Sequence, residues 1–310
     1  MGYAVMSEMN HEDFQVVSGG DSRSRHSTAA RLLSIGRHIL PDSAMASSTK
    51  PTHASLEGKV AIVSGSSAGI GAAIARELAS RGASVVLNYP GSSEKETADA
   101  VLKSLAHPSR SIAIEADLST LEGPKRLAEA AAARYGKVDI LINNAGVMIG
   151  TPLDDPDDGK IIAAWEKTIN LNGRGTYLLT RAVLKFLHTK NSRIINISSG
   201  SSRTAASNQS MYAGTKGMLE SLTRNWAKEL PRKYGCTVNT VAPGIVGTEG
   251  YYAAPPVVRE ILKPFIDETP VAPRVGTTEE VAWAVAMLCE EGASWINGTY
   301  IPVGGGVTMS

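Results

Sequence analysis

"KVAIVSGSSAGIGAAIARELASRGA", residues 59–83, decides how the chain folds. It opens with a short apolar run that ends at Gly65. A helical pattern follows, with Ile70, Ile74 and Leu78 spaced by four and Gly82 just beyond. Four residues make about one helical turn, so the three share a face, and the trailing glycine is a helix stop. Gly65, Gly69 and Gly71 lie between strand and helix. Glycine there lets an anion approach the helix N-terminus, where free N–H groups and the helix dipole favour negative charge. The spacing is G-x-x-x-G-x-G, a variant of the dinucleotide fingerprint G-x-G-x-x-G, and it sits in the strand–turn–helix context that fingerprint requires.

The same rhythm continues outward. Strands are expected at SVVLNY (84–89), SIAIEA (111–116), VDILINNAG (138–146), RIINIS (193–198), CTVNTVA (236–242) and TYIPV (299–303). Helices are expected over 94–106, 123–136, near 158–170 and 173–190, and over 211–230 and 277–291. Near-continuous apolar strands alternating with helices of this length predict a parallel sheet covered on both faces. The fold class is therefore α/β, a single doubly wound sheet of about seven strands, in one domain over 57–310.

Composition narrows the function. The 310 residues carry a formal net charge of +1, 43% hydrophobic and 20% charged residues. This is ordinary globular composition with no bulk field for nucleic acid or an anionic membrane. No apolar run reaches the roughly 18 residues a membrane helix needs. Cys236 and Cys289 are too few for a disulfide framework or a metal cluster, which suits a reducing compartment. Residues 1–56 read as a leader. The segment 22–41 is Arg-rich and acid-free, similar to a mitochondrial transit peptide, but Glu8, Glu12, Asp13 and Asp21 precede it and fit a disordered tail. Met45 is an alternative start. The expected location is cytoplasmic, or mitochondrial if 22–41 acts as a transit peptide.

A second stretch, SMYAGTKGMLESL (210–222), places Tyr212 and Lys216 four apart on one helix face. Alone, such a pair is ordinary helix surface. An ammonium about 4 Å from the phenol, at an effective dielectric near 20, contributes on the order of 4 kcal/mol, or about three pK units. That predicts a Tyr212 phenol lowered toward the working range. The small residues Ala213, Gly214 and Thr215 are expected to leave room for a cofactor and an adjoining helix.

Five features together, the glycine loop, NNAG (143–146), IN (169–170), SS (198–199) with YAGTK (212–216), and PG (243–244), resemble the short-chain dehydrogenase/reductase family in order and spacing. The resemblance covers essentially all of 57–310 and implies a Rossmann-type sheet. It implies a catalytic tetrad of Asn170, Ser199, Tyr212 and Lys216. Tyr212 donates a proton to a carbonyl, Ser199 stabilises its oxygen, and Lys216 holds the nicotinamide ribose and lowers the tyrosine pKa. Asn170 bends its helix and holds a water linked to Lys216.

The resemblance also implies cofactor contacts. Gly65, Ser66, Gly69 and Ile70 form the pyrophosphate loop, with Ser64 where the family usually has threonine. Asp117 meets the adenine, Asn144 and Gly146 the ribose, and Pro243, Gly244, Val246 and Thr248 the nicotinamide side. The second strand ends "LNYPGSSEKE", without an acid to repel a 2′-phosphate. Asn88 and Ser92 are therefore expected at that phosphate, favouring NADP(H) over NAD(H), although Ala68 stands where NADP-binding relatives often place arginine. Glu94 is expected to face water.

The loop 247–275, with Tyr251, Tyr252, Val257, Val258, Ile261, Leu262 and Phe265, is expected to be a substrate lid or small helical cap over an apolar ketone. The stretch is similar to fungal reductases of hydroxynaphthalenes and related polyketides, and to 3-oxoacyl carrier-protein reductases. A non-catalytic NADP(H)-binding redox sensor is the rival class, but it should have lost the tetrad. Ser198, Ser201 and Ser202 read as loop serines, Arg203 as solvated, and His107 and His188 as helix-end residues. Val303 replaces an aspartate common before the final glycines, in a region that in the family packs on a neighbouring subunit. The family implies a homotetramer or homodimer through the helices near 173–190 and 211–230. The expected partner is a small-molecule carbonyl, with no nucleic acid, membrane or metal.

Overall fold

A computed structural model describes residues 55–204 and 206–308. The leader readings, including 22–41 and Met45, lie outside the described residues. The seven strands are β1 Val60–Val63, β2 Ser84–Tyr89, β3 Ile112–Glu115, β4 Ile140–Asn143, β5 Ser192–Ile197, β6 Cys236–Pro243 and β7 Tyr300–Val303. They form one parallel sheet in the order β3-β2-β1-β4-β5-β6-β7. The chain turns back between β1 and β4, so the cleft at their carboxyl ends is where a doubly wound sheet binds its ligand.

The connecting helices are α1 Gly69–Ser80, α2 Lys95–Ser104, α3 Gly123–Tyr135, α4 Asp158–Thr168, α5 Thr176–Val183, α6 Ser210–Glu229, a short α7 Pro231–Tyr234, α8 Glu249–Ala253, α9 Pro256–Asp267 and α10 Thr278–Cys289. Period-two alternation in each strand feeds two cores. Ala61, Val63, Val85, Leu87 and Ile142 pack with Ile74 and Leu78 of α1 and Val285 and Leu288 of α10. Val60, Ile62, Val86, Leu141 and Ile194 face the other way, against Leu127 of α3, Leu179 and Val183 of α5 and Trp226 of α6.

One departure from the expected elements and two packing features matter for the site. The helix expected near 173–190 begins instead as a π-helical turn, Ile169–Gly175, between α4 and α5. The lid is helical, built from α8 and α9 with Tyr251 and Tyr252 edge to face. The C-terminal turn packs on this same chain's lid: Val271 N donates to Gly305 O at 3.1 Å, and Pro270 lies under Gly306. Among the described residues no helix is long and apolar enough to cross a membrane.

Candidate active site

The glycine loop is a shaped cradle. Gly65 and Gly69 have φ of +59° and +56°, which a side chain would strain. A Cβ on Gly71 would lie 2.2 Å from Gly65 O, so only glycine lets the first turn of α1 close on the loop. Ala68 begins α1 with no side-chain cap, leaving its first N–H groups for another acceptor. One of them is taken within the chain: Gly69 N donates to Glu249 Oε2 of α8 at 3.0 Å. The cleft above has a volume of about 520 Å³ and reaches from Glu94 and Pro90 at one end to Ser199, Tyr212 and Lys216 at the other. These features fit a dinucleotide whose pyrophosphate sits at the start of α1.

The serine at 64 keeps the hydroxyl that matters. Ser64 Oγ accepts from Asn144 N and Ala145 N at 2.9 and 3.0 Å and donates to Ile142 O at 3.1 Å. It ties the end of β1 to the NNAG turn. Asn144 Nδ2 closes the tie with 2.9 Å bonds to Ser64 O and Gly65 O. Gly65, Gly69, Ile70, Asn144, Gly146, Pro243, Gly244 and Thr248 all line the cleft.

Several expected contacts fall elsewhere. Ser66 is fully buried, donating to Val63 O and accepting from Asn88 N, and Ser67 takes the cleft-facing place. Asn88 lines the cleft but is only 2% exposed; its Oδ1 accepts from Gly65 N and its Nδ2 donates to Ala116 O, so it also pins the loop to the sheet. Ser92 is exposed and off the cleft. Asp117 stays at the rim, its Oδ1 accepting from Ser119 N and Oγ, while Ala116 and Leu118 line the cleft. Val246 is buried in the core. Glu94 does not face water: it lines the cleft and accepts from Ser67 Oγ at 2.6 Å.

At the other end, α6 presents Tyr212 and Lys216 on its inner face. Lys216 Nζ lies 5.6 Å from the Tyr212 ring centroid and donates to Ile197 O of β5 at 2.8 Å. Burial pulls the Lys216 ammonium down to about 8. Burial also pushes the Tyr212 phenol up, opposed by a hydrogen bond with Ser199. The expected lowering of Tyr212 by the ammonium is thus not found, because desolvation of the phenolate outweighs any other influence on it. Ser199 Oγ accepts from Ser201 N at 3.2 Å, which leaves its own proton to donate.

The asparagine side chain beside this pair is that of Asn172, not Asn170. Asn170 lies within the π turn, half-buried, and lines no part of the cleft. Asn172 is fully buried, and a Cβ on Gly146 would lie 3.3 Å from its Oδ1 and 3.4 Å from Lys216 Nζ. It exchanges two 2.9 Å bonds with the Val147 backbone and donates to Thr215 Oγ1 at 3.1 Å. The π turn, a feature often found at functional sites, swings it inward. Thr215, which in turn donates to Tyr212 O, is therefore a buried link and not only a small residue. A Cβ on Gly214 would meet nothing within 4 Å, so no crowding in this chain demands glycine there.

A second cavity, of about 370 Å³, meets the first at Ser199, Pro243 and Gly244. Leu262 and Phe265 of α9 and Val307 give it an apolar wall, while Ser201, Thr204, Gln209 and Glu268 give it a polar one. The Gln209 Oε1 is buried without a partner. Sequence reasoning missed Gln209, Glu268 and the C-terminal Val307 and Thr308. Arg203 is not simply solvated: its guanidinium stacks 3.5 Å over the Tyr300 ring and pairs with Glu220. His188 sits 3.5 Å from the buried Asp139 at the opposite end of the sheet. Among the described residues no group of three or more His, Cys, Asp and Glu is arranged to hold a metal.

Fold and site together define an oxidoreductase of the doubly wound, dinucleotide-binding class. A family model described as enoyl-(acyl carrier protein) reductase matches residues 65–308. The chain is 40% identical to the short-chain dehydrogenase/reductase FrzI of a Cladobotryum species, over 82% of this chain and 97% of that one. It is 36% identical to L-xylulose reductase of Aspergillus niger (83% and 99% covered) and 34% to a hydroxynaphthalene reductase-like protein, Arp2, of Metarhizium guizhouense (84% and 98%). A blue fluorescent protein from a metagenomic library, solved with NADPH, superposes with a TM-score of 0.74 at 32% identity, covering 82% of this chain and 100% of that one. The chain belongs to the short-chain dehydrogenase/reductase family.

Proposed function

We propose that the protein reduces a ketone to a secondary alcohol, with Tyr212 as proton donor and NADP(H) as the preferred cofactor. The observation that carries this reading is the meeting of the two cavities at Ser199, with Tyr212 and Lys216 on the dinucleotide side. The bound nicotinamide supplies the hydride. Tyr212 then gives its proton to the carbonyl oxygen; the raised phenol suits this direction, since it stays protonated at neutral pH. Ser199, which accepts from Ser201 N and keeps its own O–H proton, donates a hydrogen bond to the same oxygen. Lys216 would hold the ribose hydroxyls of the cofactor, and Asn172 fixes the Val147 backbone and the Thr215 hydroxyl beside it.

The apolar wall of Leu262, Phe265 and Val307 supports a ketone with an apolar or aromatic body, of the polyketide type. A polyhydroxy ketone is the second reading, supported by Thr204, Gln209 and Glu268 on the facing wall and by the relative named as an L-xylulose reductase. For the cofactor, support comes from the absence of an acid within β2 and from the NADPH-bound structural neighbour, while Glu94 in the cleft weighs toward NAD(H). We also infer a homo-oligomer through α5 and α6, where Tyr177 and Met218 are exposed; light scattering tests it.

The test is turnover with NADPH and NADH over a panel of 1-tetralone, 9,10-phenanthrenequinone, acetoacetyl thioester and L-xylulose. Reduction of the aromatic ketones supports the reading. Preference for the thioester or for the sugar overturns the substrate class. Cofactor binding without reduction of any member favours a redox sensor.

A further inference from the structure

We propose that Glu220 is a positioning residue that holds Ser199 in place through the loop on either side of it. Tyr212, Lys216 and Glu220 follow one another at intervals of four along α6, so they share its inner face. The first two face the cleft, and the third sits under the serine loop, 8% exposed. Its carboxylate collects donors from both sides of Ser199. Ser198 Oγ lies 3.4 Å from Glu220 Oε1, with Lys216 O at 3.0 Å as its other acceptor. Ser202 Oγ has Glu220 Oε1 and Ser199 O as its two acceptors. Arg203 Nε donates to Oε2 at 3.1 Å, and its Nη2 lies 3.1 Å from the same oxygen as an ion pair.

A nearly buried carboxylate needs several donors, and these come almost entirely from residues 198–203. The loop is thereby fastened to the helix that carries the proton donor. Arg203 is held from above as well, by the face of Tyr300 in β7. The consequence is a fixed relation between Ser199 Oγ and Tyr212, the pair that must reach one oxygen atom. A loose oxyanion donor loses its advantage because the transition state must then supply the ordering.

This inference rests on the proposed role of Ser199, and its test separates the two. Backbone amide exchange on the full chain reads positioning without turnover: E220A is expected to accelerate exchange of residues 199–203 by about tenfold or more while α6 stays protected. Unchanged exchange in the loop overturns the proposal. In turnover with 9,10-phenanthrenequinone, E220A is expected to lower kcat about tenfold with the cofactor KM within about twofold. The double variant S199A/E220A is expected to be no slower than S199A, because Glu220 acts only through that serine. Additive losses overturn the proposal and leave the role of Ser199 standing. An S199A as fast as the wild type overturns both. E220Q keeps an acceptor for the serines and is expected to recover most of the rate; failure to do so, with folding intact, also counts against it. If E220A does not fold, S202A takes its place in both measurements, with the same expectations.

Discussion

The carboxylate of Glu249 accepts a hydrogen bond from Gly69 N at 3.0 Å, so the first turn of the lid rests on the N-terminus of the helix that receives the cofactor. A carboxylate of the chain thus holds the helix N-terminus proposed above for the cofactor pyrophosphate. Displacing it costs the incoming cofactor part of its binding energy. E249Q is therefore expected to tighten NADPH, with Kd falling about threefold to tenfold in a fluorescence titration. An unchanged or weaker affinity refutes this competition.

Lys216 is a charge kept at the expense of stability. Its pKa falls from 10.5 to about 8 on burial, which corresponds to on the order of 3 kcal/mol at 1.36 kcal/mol per pH unit. The folded form binds fewer protons than the unfolded chain between those two values, so stability rises with pH through that window. K216M removes the buried charge. It is expected to raise Tm at pH 7, to lose that advantage as pH approaches 10.5, and to be nearly inactive. Paired thermal melts at about pH 7 and pH 10 check the sign.

Tyr212 gives a pH dependence of its own. Because burial raises the phenol, reduction is expected to be flat across neutral pH and to decline only on the alkaline side, where the proton donor is lost. Y212F is expected to lower kcat by about a hundredfold or more and to bind NADPH as well as the wild type. Steady-state rates over roughly pH 5–10, with binding measured alongside, decide both points.

Glycines in the two key stretches should answer differently to the same change. G71A places a methyl 2.2 Å from Gly65 O, against backbone that cannot yield, and is expected to destabilise the domain by about 2 kcal/mol or more and to weaken cofactor binding. G214A sits in α6 with open space around it and is expected to stabilise the monomer by about 0.5–1 kcal/mol. Denaturant midpoints measure both.

Glu94 tests the cofactor choice. It stands in the cleft beside Ser67, where an acid opposes a 2′-phosphate. E94Q is expected to raise the ratio of kcat/KM for NADPH over NADH by about fivefold to twentyfold. A ratio that does not move removes Glu94 from cofactor selection.

The strand and helix order was legible because apolar strands alternate with periodic helices, a signal that depends only on which residues are buried. Ser199, Tyr212 and Lys216 were legible through the order and spacing of motifs that resemble the family, and Tyr212 and Lys216 also through their shared helix face. Asn170 was expected from the resemblance of IN (169–170) to a family motif, whereas the π turn at Ile169–Gly175 places the side chain of Asn172 beside Lys216. Gly173 and Gly175 within a helical run were the available warning. Ser66 misled because a polar side chain near a cleft can be spent on the backbone, and spacing does not show where its hydrogen bonds go. Glu94, Gln209 and Glu268 depend on how loops fold back, which no local period encodes.

The C-terminal turn that roofs the second cavity with Gly306, Val307 and Thr308 bears on how the protein is handled. A bulky group attached at Thr308 would therefore press on the wall shared by Leu262 and Phe265, and labelling chemistry aimed at this turn would alter the cavity along with the surface.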